Sequence, residues 1–276
     1  MAKLTSPKRK PAPKRTPAKP ATGGKKGARR KPAAKTGGAE HQRRPGLIWR
    51  LLRWPFRLAA AVLALAMLWV IAYRFIDPPG GVYMLSESQR LGGVAHEWRD
   101  IEEISPRLAR AAMAGEDARF CEHFGFDLEA IQAAMAANRA GGRTYGASTI
   151  SQQVAKNVFL WHERSWLRKG LEAGFTVMIE LFWPKERIIE VYLNTAEFGE
   201  GVFGAEAAAQ HHFGRAAFAL TPTQAARLAA VLPAPKVRNA GHPSAGVRRR
   251  AARIADGAET LRRSGRADCL FATRDR

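Results

Sequence analysis

The sequence predicts a mainly α-helical domain behind a single N-terminal transmembrane helix. Residues 105–231 contain repeated helix signals, in which a capping residue is followed by apolar residues spaced three and four apart. Strong alternation of apolar and polar residues, which would indicate strands, is absent from the sequence. The uncharged run from Leu58 to Tyr73 is flanked by Arg57 and Arg74 and is nearly long enough to cross a bilayer.

The charge of the chain is concentrated at its two ends. Of the formal net charge of +21, residues 1–57 contribute 18 Lys and Arg against one acid, and residues 236–276 contribute 11 basic and 4 acidic residues. Residues 58–235, where a core can form, contain 16 basic and 19 acidic residues. This distribution argues against a nucleic-acid-binding core, although a membrane-tethered protein that binds nucleic acid through its tail stays an alternative.

We divide the chain into four parts. Residues 1–56 are predicted to be a disordered, basic cytoplasmic tail, because they contain few apolar side chains to bury. Residues 57–76 are the predicted transmembrane helix, and the positive-inside rule places the residues before it in the cytoplasm and those after it outside. Residues 77–245 are the predicted folded domain, and residues 246–276 are a basic C-terminal tail.

The folded domain is predicted to be helical after an irregular start. Residues 78–104 are expected to be extended or irregular because two glycine pairs interrupt them. Ser105 is the predicted N-cap of the next helix, with Pro106 at the first helical position. Arg139–Gly146, with three glycines, is predicted to be a mobile loop, and residues 197–204 a turn. Further helices are expected over 126–138, from 148–149 onward, over 164–183 and 185–194, and from the capping box at 221–224 to before Pro233.

The helix that begins near Ser148 and Thr149 has an unusual surface. Read at a spacing of four, it presents two neighbouring polar columns and an apolar column behind them. The polar columns contain amides, hydroxyls and one cation, which suit a neutral, hydroxyl-rich ligand with an anionic end. A helix buried through amide hydrogen bonds is the alternative. The columns are Ser148, Gln152 and Lys156; Thr149, Gln153 and Asn157; and Ile150, Val154 and Val158.

Two carboxylates and a group of cations are candidates for chemistry. Glu116 and Asp117 end one helix, whereas Arg164, Arg168 and Glu172 form a column on another, with Lys169 beside it. A lone carboxylate can take or give a proton, and cations can stabilise an anionic leaving group. The pattern indicates sugar chemistry with an anionic leaving group. An ordinary ion pair between Arg168 and Glu172 is the alternative.

Four motifs in this order resemble those of the peptidoglycan glycosyltransferases, the lysozyme-like family of the penicillin-binding proteins and their monofunctional relatives. The resemblance covers roughly residues 84–240 and implies a lysozyme-like glycosyltransferase domain. Two small departures are Ser151, where the family usually has Thr, and His212, where Tyr is common. The motifs are Glu116-Asp117-x-x-Phe120-x-x-His123-x-Gly125, Gly146-x-Ser148-Thr149-Ile150-x-Gln152-Gln153-x-x-Lys156-Asn157, Arg168-Lys169-x-x-Glu172 and Lys185-x-x-Ile188-Ile189-Glu190-x-Tyr192-Leu193-Asn194.

The resemblance implies polymerisation of lipid II by inverting glycosyl transfer, with release of undecaprenyl pyrophosphate. Glu116 would be the general base, and Glu172 would orient the pyrophosphate site. The pyrophosphate would be held by Lys156, Arg164, Arg168 and Lys169, and the sugar cleft would be lined by Ser148, Gln152, Gln153 and Asn157. The chain lacks the motif set of a penicillin-binding transpeptidase domain. A lysozyme-like hydrolase with a similar cleft is the other enzymatic alternative.

The implied partners are lipid II, the growing glycan strand, membrane lipids and other proteins of cell-wall synthesis or division, with no nucleic acid. The resemblance implies no obligatory cofactor and leaves open a divalent cation, Mg²⁺ or Mn²⁺, at the pyrophosphate. The implied location is the inner membrane, with one span and the catalytic domain outside the cytoplasm. The two cysteines, Cys121 and Cys269, fit no metal site by spacing, and whether they pair is left open.

Overall fold

The computed structural model describes residues 47–141, 146–161, 163 and 165–271, with side chains from residue 53 onward. The predicted tail up to residue 46, Arg164 and residues 142–145 of the predicted mobile loop lie outside the described residues. The chain divides into two units, Met1–Arg50 and Leu51–Arg276, and almost all described residues belong to the second. The described residues confirm the mainly α-helical prediction.

The described part of the chain contains ten α-helices, three short 3₁₀ helices and one small sheet. The sheet has the order β1-β3-β2, with β1 parallel and β2 antiparallel to β3. The helices are α1 (Leu47–Tyr73), α2 (Val82–Leu91), α3 (Pro106–Glu116), α4 (Leu128–Arg139), α5 (Ile150–Phe159), α6 (Trp166–Phe182), α7 (Lys185–Thr195), α8 (Ala205–Phe213), α9 (Pro222–Val231) and α10 (Ala245–Ser264). The strands are β1 (Ala95–His96), β2 (Glu197–Gly199) and β3 (Val202–Phe203).

Helix α1 is long and apolar enough to cross a membrane over Arg53–Tyr73, and this stretch is largely exposed. Its last turns, however, pack into the folded domain. Val70 is fully buried, and its carbonyl oxygen accepts a hydrogen bond of 2.8 Å from the Trp183 indole. The ring of Trp69 lies 5.1 Å from that of Phe159 at the end of α5. The candidate membrane helix therefore also contributes to the core of the folded domain.

Helix α2 corrects the expectation of an extended or irregular segment over 78–104. It begins after Gly81 and ends at Gly92, which adopts a left-handed conformation with φ 74°. The backbone of Gly81 lies so close to α5 that a Cβ atom there would be 1.5 Å from the carbonyl oxygen of Asn157. The glycines that look like breakers in the sequence are thus the cap of a helix and a point of backbone contact.

Gly81→Ala is expected to lower the free energy of unfolding by about 1–3 kcal/mol, because the added methyl group overlaps the backbone of α5. Gly170→Ala is the matched control, since a Cβ at Gly170 would meet no atom within 4 Å. That control should gain about 0.4–1 kcal/mol through reduced backbone entropy of the unfolded chain. Denaturant unfolding of both variants in detergent measures the difference, and equal stabilities would contradict the close contact.

Helix α10 occupies much of the segment that the sequence divides off as a basic C-terminal tail, residues 246–276. Val247, Ala251, Ile254 and Leu261 are buried, and α10 packs against α3 and α9. These apolar residues form a stripe at helical spacing on a helix that is rich in arginine, and a count of charges does not reveal the stripe. The folded domain therefore continues past residue 245, through the whole of α10.

A disulfide joins Cys121, in the loop after α3, to Cys269, beyond α10. The two residues are 148 positions apart in sequence, with their Cα atoms 5.9 Å from each other. The pairing that the sequence leaves open is thus present in the structure. It connects the segment after the candidate catalytic Glu116 to the C-terminal end of the described chain.

Reduction of this disulfide by a dithiol is expected to lower the free energy of unfolding by about 2–4 kcal/mol, because the unfolded chain loses a long-range constraint. The double variant Cys121→Ser/Cys269→Ser should show the lower stability without reductant and should not respond to it. Thermal unfolding with and without dithiol, with thiol labelling to confirm reduction, makes the measurement. An unchanged midpoint in fully reduced wild-type protein would count against a stabilising role.

Candidate active site

Glu116 is the last residue of α3, and its side chain is mostly buried, with 13% of its surface exposed. One carboxylate oxygen, Oε2, accepts a hydrogen bond of 3.2 Å from Gln153 Nε2 on α5. The other, Oε1, lies 3.3 Å from Arg250 Nη2 on α10. Burial raises the pKa of Glu116, while the Gln153 hydrogen bond and the charges of nearby cations lower it. A partly desolvated carboxylate of raised basicity suits a general base.

Asp117, the second acid of the motif, stabilises the fold next to the site. Its Oδ1 lies 2.9 Å from His123 Nε2, and its Oδ2 accepts a hydrogen bond of 3.0 Å from the backbone N–H of Ile150. Asp117 therefore connects the end of α3 to the first turn of α5. This link holds α5, which carries Gln153, next to Glu116.

Helix α5 begins with a capping box. The Thr149 hydroxyl accepts a hydrogen bond from the Gln152 backbone, and Gln152 Oε1 accepts one of 3.0 Å from the Thr149 backbone. The N-cap is thus Thr149, and Ser148 is an exposed residue before the helix. The predicted apolar column of α5 is buried, with Ile150, Val154 and Val158 at most 2% exposed. Gln152 therefore serves the fold as a cap, and it also lines a pocket.

That pocket has a volume of about 330 Å³ and is cationic. Arg168 Nη1 lies 2.7 Å from Glu172 Oε2, and Lys169 forms an ion pair with Glu172 Oε1. The ion pair that the sequence offers as an alternative is therefore real, and it forms one wall of the pocket. With Lys156, the group carries three positive charges and one negative charge. The lining residues are Ser148, Gln152, Gln153, Lys156, Arg168, Lys169 and Glu172.

Lys156 is partly buried and lines this pocket. Burial lowers the pKa of its ammonium group; the charge of Glu172 opposes this, and the charges of Arg168 and Lys169 add to it. No hydrogen bond from the Lys156 side chain occurs within the described part of the chain. A partly buried cation without a hydrogen-bond partner suits an anionic ligand that arrives from outside.

A second pocket, of about 390 Å³, adjoins the cationic one, and Gln153 and Lys156 line both. Tyr83, Asn157, Tyr192 and the segment after α9 complete the second pocket. Gln153 also accepts a hydrogen bond of 3.4 Å from the Tyr192 hydroxyl. The predicted site residues thus divide between two sides of one cleft. Asn157 faces the second pocket, Gln153 and Lys156 stand where the two meet, and Glu116 lies behind Gln153 as its hydrogen-bond partner.

Other motif residues support the site from within the fold. Lys185 donates hydrogen bonds to the His123 carbonyl and to Glu180, both at 2.8 Å, and its ammonium group lies 4.3 Å from the centre of the Phe120 ring. The Ser151 hydroxyl donates to the same Glu180. These contacts join α5, α6, α7 and the loop after α3. The motif residues that make them therefore support the cleft without lining it.

The structure also brings in residues that sequence reasoning did not identify. Arg238 and Arg250 place positive charge near Glu116, and Tyr83 and Lys236 line the second pocket. All four lie outside the four motifs, and Arg250 lies in the supposed basic tail. Sequence patterns within one helix cannot predict these residues, because their contacts are with segments that are distant in sequence.

A resident divalent cation does not fit the donor set at Glu172. Both oxygens of that carboxylate already lie within ion-pair distance of a cation. Within the described residues, no group of three or more His, Cys, Asp or Glu side chains is arranged to hold a metal ion. The positive charge that a metal would supply is already present on Lys156, Arg168 and Lys169.

Comparison with known proteins gives a consistent result. A family model described as transglycosylase matches residues 85–259, which includes most of α10. Three bacterial relatives are each named biosynthetic peptidoglycan transglycosylase. The one from Jannaschia sp. (strain CCS1) is 54% identical over 218 residues, or 79% of this chain and 90% of the relative. The one from Rhodospirillum centenum is 50% identical over 82% of this chain and 98% of the relative, and that from Xanthomonas campestris pv. campestris (strain B100) is 52% identical over 74% and 86%.

Proposed function

Since the chain belongs to the transglycosylase family, we propose that it polymerises lipid II into peptidoglycan glycan strands and releases undecaprenyl pyrophosphate. The observation that carries this proposal is the position of Glu116 beside Gln153, where a cationic pocket meets a second pocket. Glycosyl transfer between two lipid-linked sugars needs two adjacent binding pockets, a base between them and positive charge at the leaving group.

In the proposed reaction, Glu116 accepts the proton of the 4-hydroxyl group of the acceptor GlcNAc. The oxygen attacks C1 of the MurNAc at the reducing end of the growing strand and forms a β-1,4 bond. The bond between C1 and the pyrophosphate oxygen breaks with inversion, and its electron pair leaves with the pyrophosphate. Lys156, Arg168 and Lys169 stabilise that charge, and Arg164, outside the described residues, is proposed to join them.

Glu172 is proposed to orient the cations. It is only 3% exposed, and it contacts both Arg168 and Lys169. A buried carboxylate between two flexible cations restricts their side chains before the substrate binds. Any divalent cation at this site would depend on oxygens of the pyrophosphate. Comparing polymerisation in Mg²⁺ with that in a chelator tests this, and complete loss with the chelator would favour a required metal.

Incubation of the purified, detergent-solubilised protein with labelled lipid II tests the proposed function. We expect glycan strands and release of undecaprenyl pyrophosphate, both suppressed by moenomycin, an inhibitor of this family, and both strongly reduced with Glu116→Gln. A lysozyme-like hydrolase would instead shorten preformed strands and leave lipid II intact. Binding of nucleic acid that disappears when residues 1–57 are deleted, without any polymerisation, would favour the tethered binding protein.

We further propose that the protein lies in the inner membrane with its N-terminus in the cytoplasm and its catalytic domain outside. The basic residues before α1 and the apolar span Arg53–Tyr73 support this orientation. The Cys121–Cys269 disulfide supports it independently, because such bonds form in oxidising compartments. A C-terminal alkaline phosphatase fusion should be active, and an inactive fusion of normal abundance would reverse the assignment. Interactions with other proteins of cell-wall synthesis or division stay a proposal.

A further inference from the structure

Arg250 on α10 contacts the end of α3 at two adjacent residues. Its Nη2 donates a hydrogen bond of 3.1 Å to the backbone carbonyl oxygen of Gly115 and lies 3.3 Å from Glu116 Oε1. A single nitrogen therefore connects the backbone of the last helical turn to the carboxylate of the proposed base. Gln153 on α5 donates a hydrogen bond to the other oxygen, Oε2, so each carboxylate oxygen of Glu116 has its own partner.

The helix that carries Arg250 is held in place on both sides of this contact. Val247 and Ala251 are buried on either side of it, and α10 packs closely on α3 and α9. Beyond the C-terminal end of α10, Arg266 donates a hydrogen bond of 2.6 Å to Glu122, and the disulfide joins Cys269 to Cys121. These contacts fix α10, the helix that carries Arg250, relative to the segment that contains Glu116.

We propose that Arg250 is a positioning residue for the base: it holds the Glu116 carboxylate against Gln153, which lines both pockets, so that one geometry is populated before the substrate binds. This inference rests on the proposed function and deepens it. Arg250 contacts the carboxylate at Oε1, the oxygen that Gln153 leaves free, so it is placed to act through Glu116. The gain comes from restricting the carboxylate, since a small displacement of a reacting group slows a reaction steeply.

The charges around Glu116 determine the expected pH dependence. Burial raises its pKa, and the positive charge of Arg250 opposes that rise. Removal of Arg250 should therefore raise the pKa of Glu116 further and move the acid limb of the pH–rate profile to higher pH. The other charged or titratable groups that face or adjoin the carboxylate are Lys156 on α5, Tyr192 on α7, Arg238 after α9 and the neighbouring Asp117.

The test compares Arg250→Met and Arg250→Lys with the control Arg249→Met, which changes an exposed arginine on the same helix. For Arg250→Met we expect kcat to fall about 10- to 10²-fold with little change in the KM for lipid II. Arg250→Lys should recover part of the rate, because it restores the charge but not the planar donor group. The control should behave as wild type. A raised KM with unchanged kcat would instead indicate contact with the substrate and overturn the proposal.

A second readout does not require turnover. In protein with ¹³C-labelled glutamate side chains, the Glu116 carboxyl signal, assigned by its loss in Glu116→Gln, should titrate at higher pH in Arg250→Met than in wild type or Arg249→Met. Lower stability with an unshifted titration would indicate a merely structural arginine and contradict the proposal. If wild-type protein forms no polymer, the proposed function fails by itself, while the titration still shows whether Arg250 controls this carboxylate.

Discussion

Glu116→Gln is expected to lower the rate of lipid II polymerisation by about 10²–10⁴-fold while leaving the protein folded. The amide has the same shape as the carboxylate but cannot accept the proton of the acceptor hydroxyl group. The hydrogen bond between Gln153 and Oε2 can persist after reorientation of either amide, so the pocket should keep its shape. Turnover of labelled lipid II gives the rate, and thermal unfolding gives the stability.

Glu103→Gln is a suitable control for this experiment, because Glu103 is exposed. Its ion pair with Arg99, at 3.7 Å, lies at the surface and contributes little to stability. It should retain normal activity. Near wild-type turnover of Glu116→Gln would show that another group removes the proton. An unfolded variant would be uninformative about the base, and for that reason the unfolding midpoint is measured on the same preparation.

Lys156→Met is expected to lower kcat/KM by about 10²–10³-fold and to weaken moenomycin binding, because a partly buried positive charge at the leaving-group pocket disappears. Its stability should be unchanged or higher. Burial lowers the pKa of Lys156, which means that the folded state disfavours the charged form of this side chain. Removing that charge relieves an unfavourable interaction in the folded state, so activity should fall without a loss of stability.

Lys169→Met provides the comparison for this prediction. Lys169 carries the same charge in the same pocket, but 45% of its side chain is exposed, so water already screens it and the loss of activity should be smaller. Steady-state rates, inhibitor binding and unfolding midpoints are measured for both variants. Unchanged activity and inhibitor affinity in Lys156→Met would show that this lysine does not contact the leaving group.

Local features of the chain were predictable from sequence because they depend on residues a few positions apart. Ser105 with Pro106 starts α3, and the capping boxes that begin at Thr149 and Thr221 start α5 and α9. The hydrogen bonds of a cap join residues two or three positions apart, so the sequence contains both partners. The same holds for the Arg168–Glu172 pair, which lies within one turn of α6.

Elements that depend on tertiary contacts were not predictable in this way. Helix α2 has no side-chain cap and lies with Gly81 against the backbone of α5, so its glycines resemble the signals of a loop. Helix α10 has many arginines, and its apolar stripe acquires meaning only through burial against α3 and α9. In both cases the stabilising partner is distant in sequence, and tertiary packing outweighs local propensity.

The sequence by itself determined the family resemblance, the apolar span and the residues that share each helix face, since periodicity and capping are local properties. Only the tertiary structure decided how those faces meet: Gln153 against Glu116, Lys156 between two pockets, and Arg250 beside the base. It also decided that Cys121 and Cys269 pair. These contacts join residues from 37 to 148 positions apart, and packing of the whole core, rather than any local pattern, brings them together.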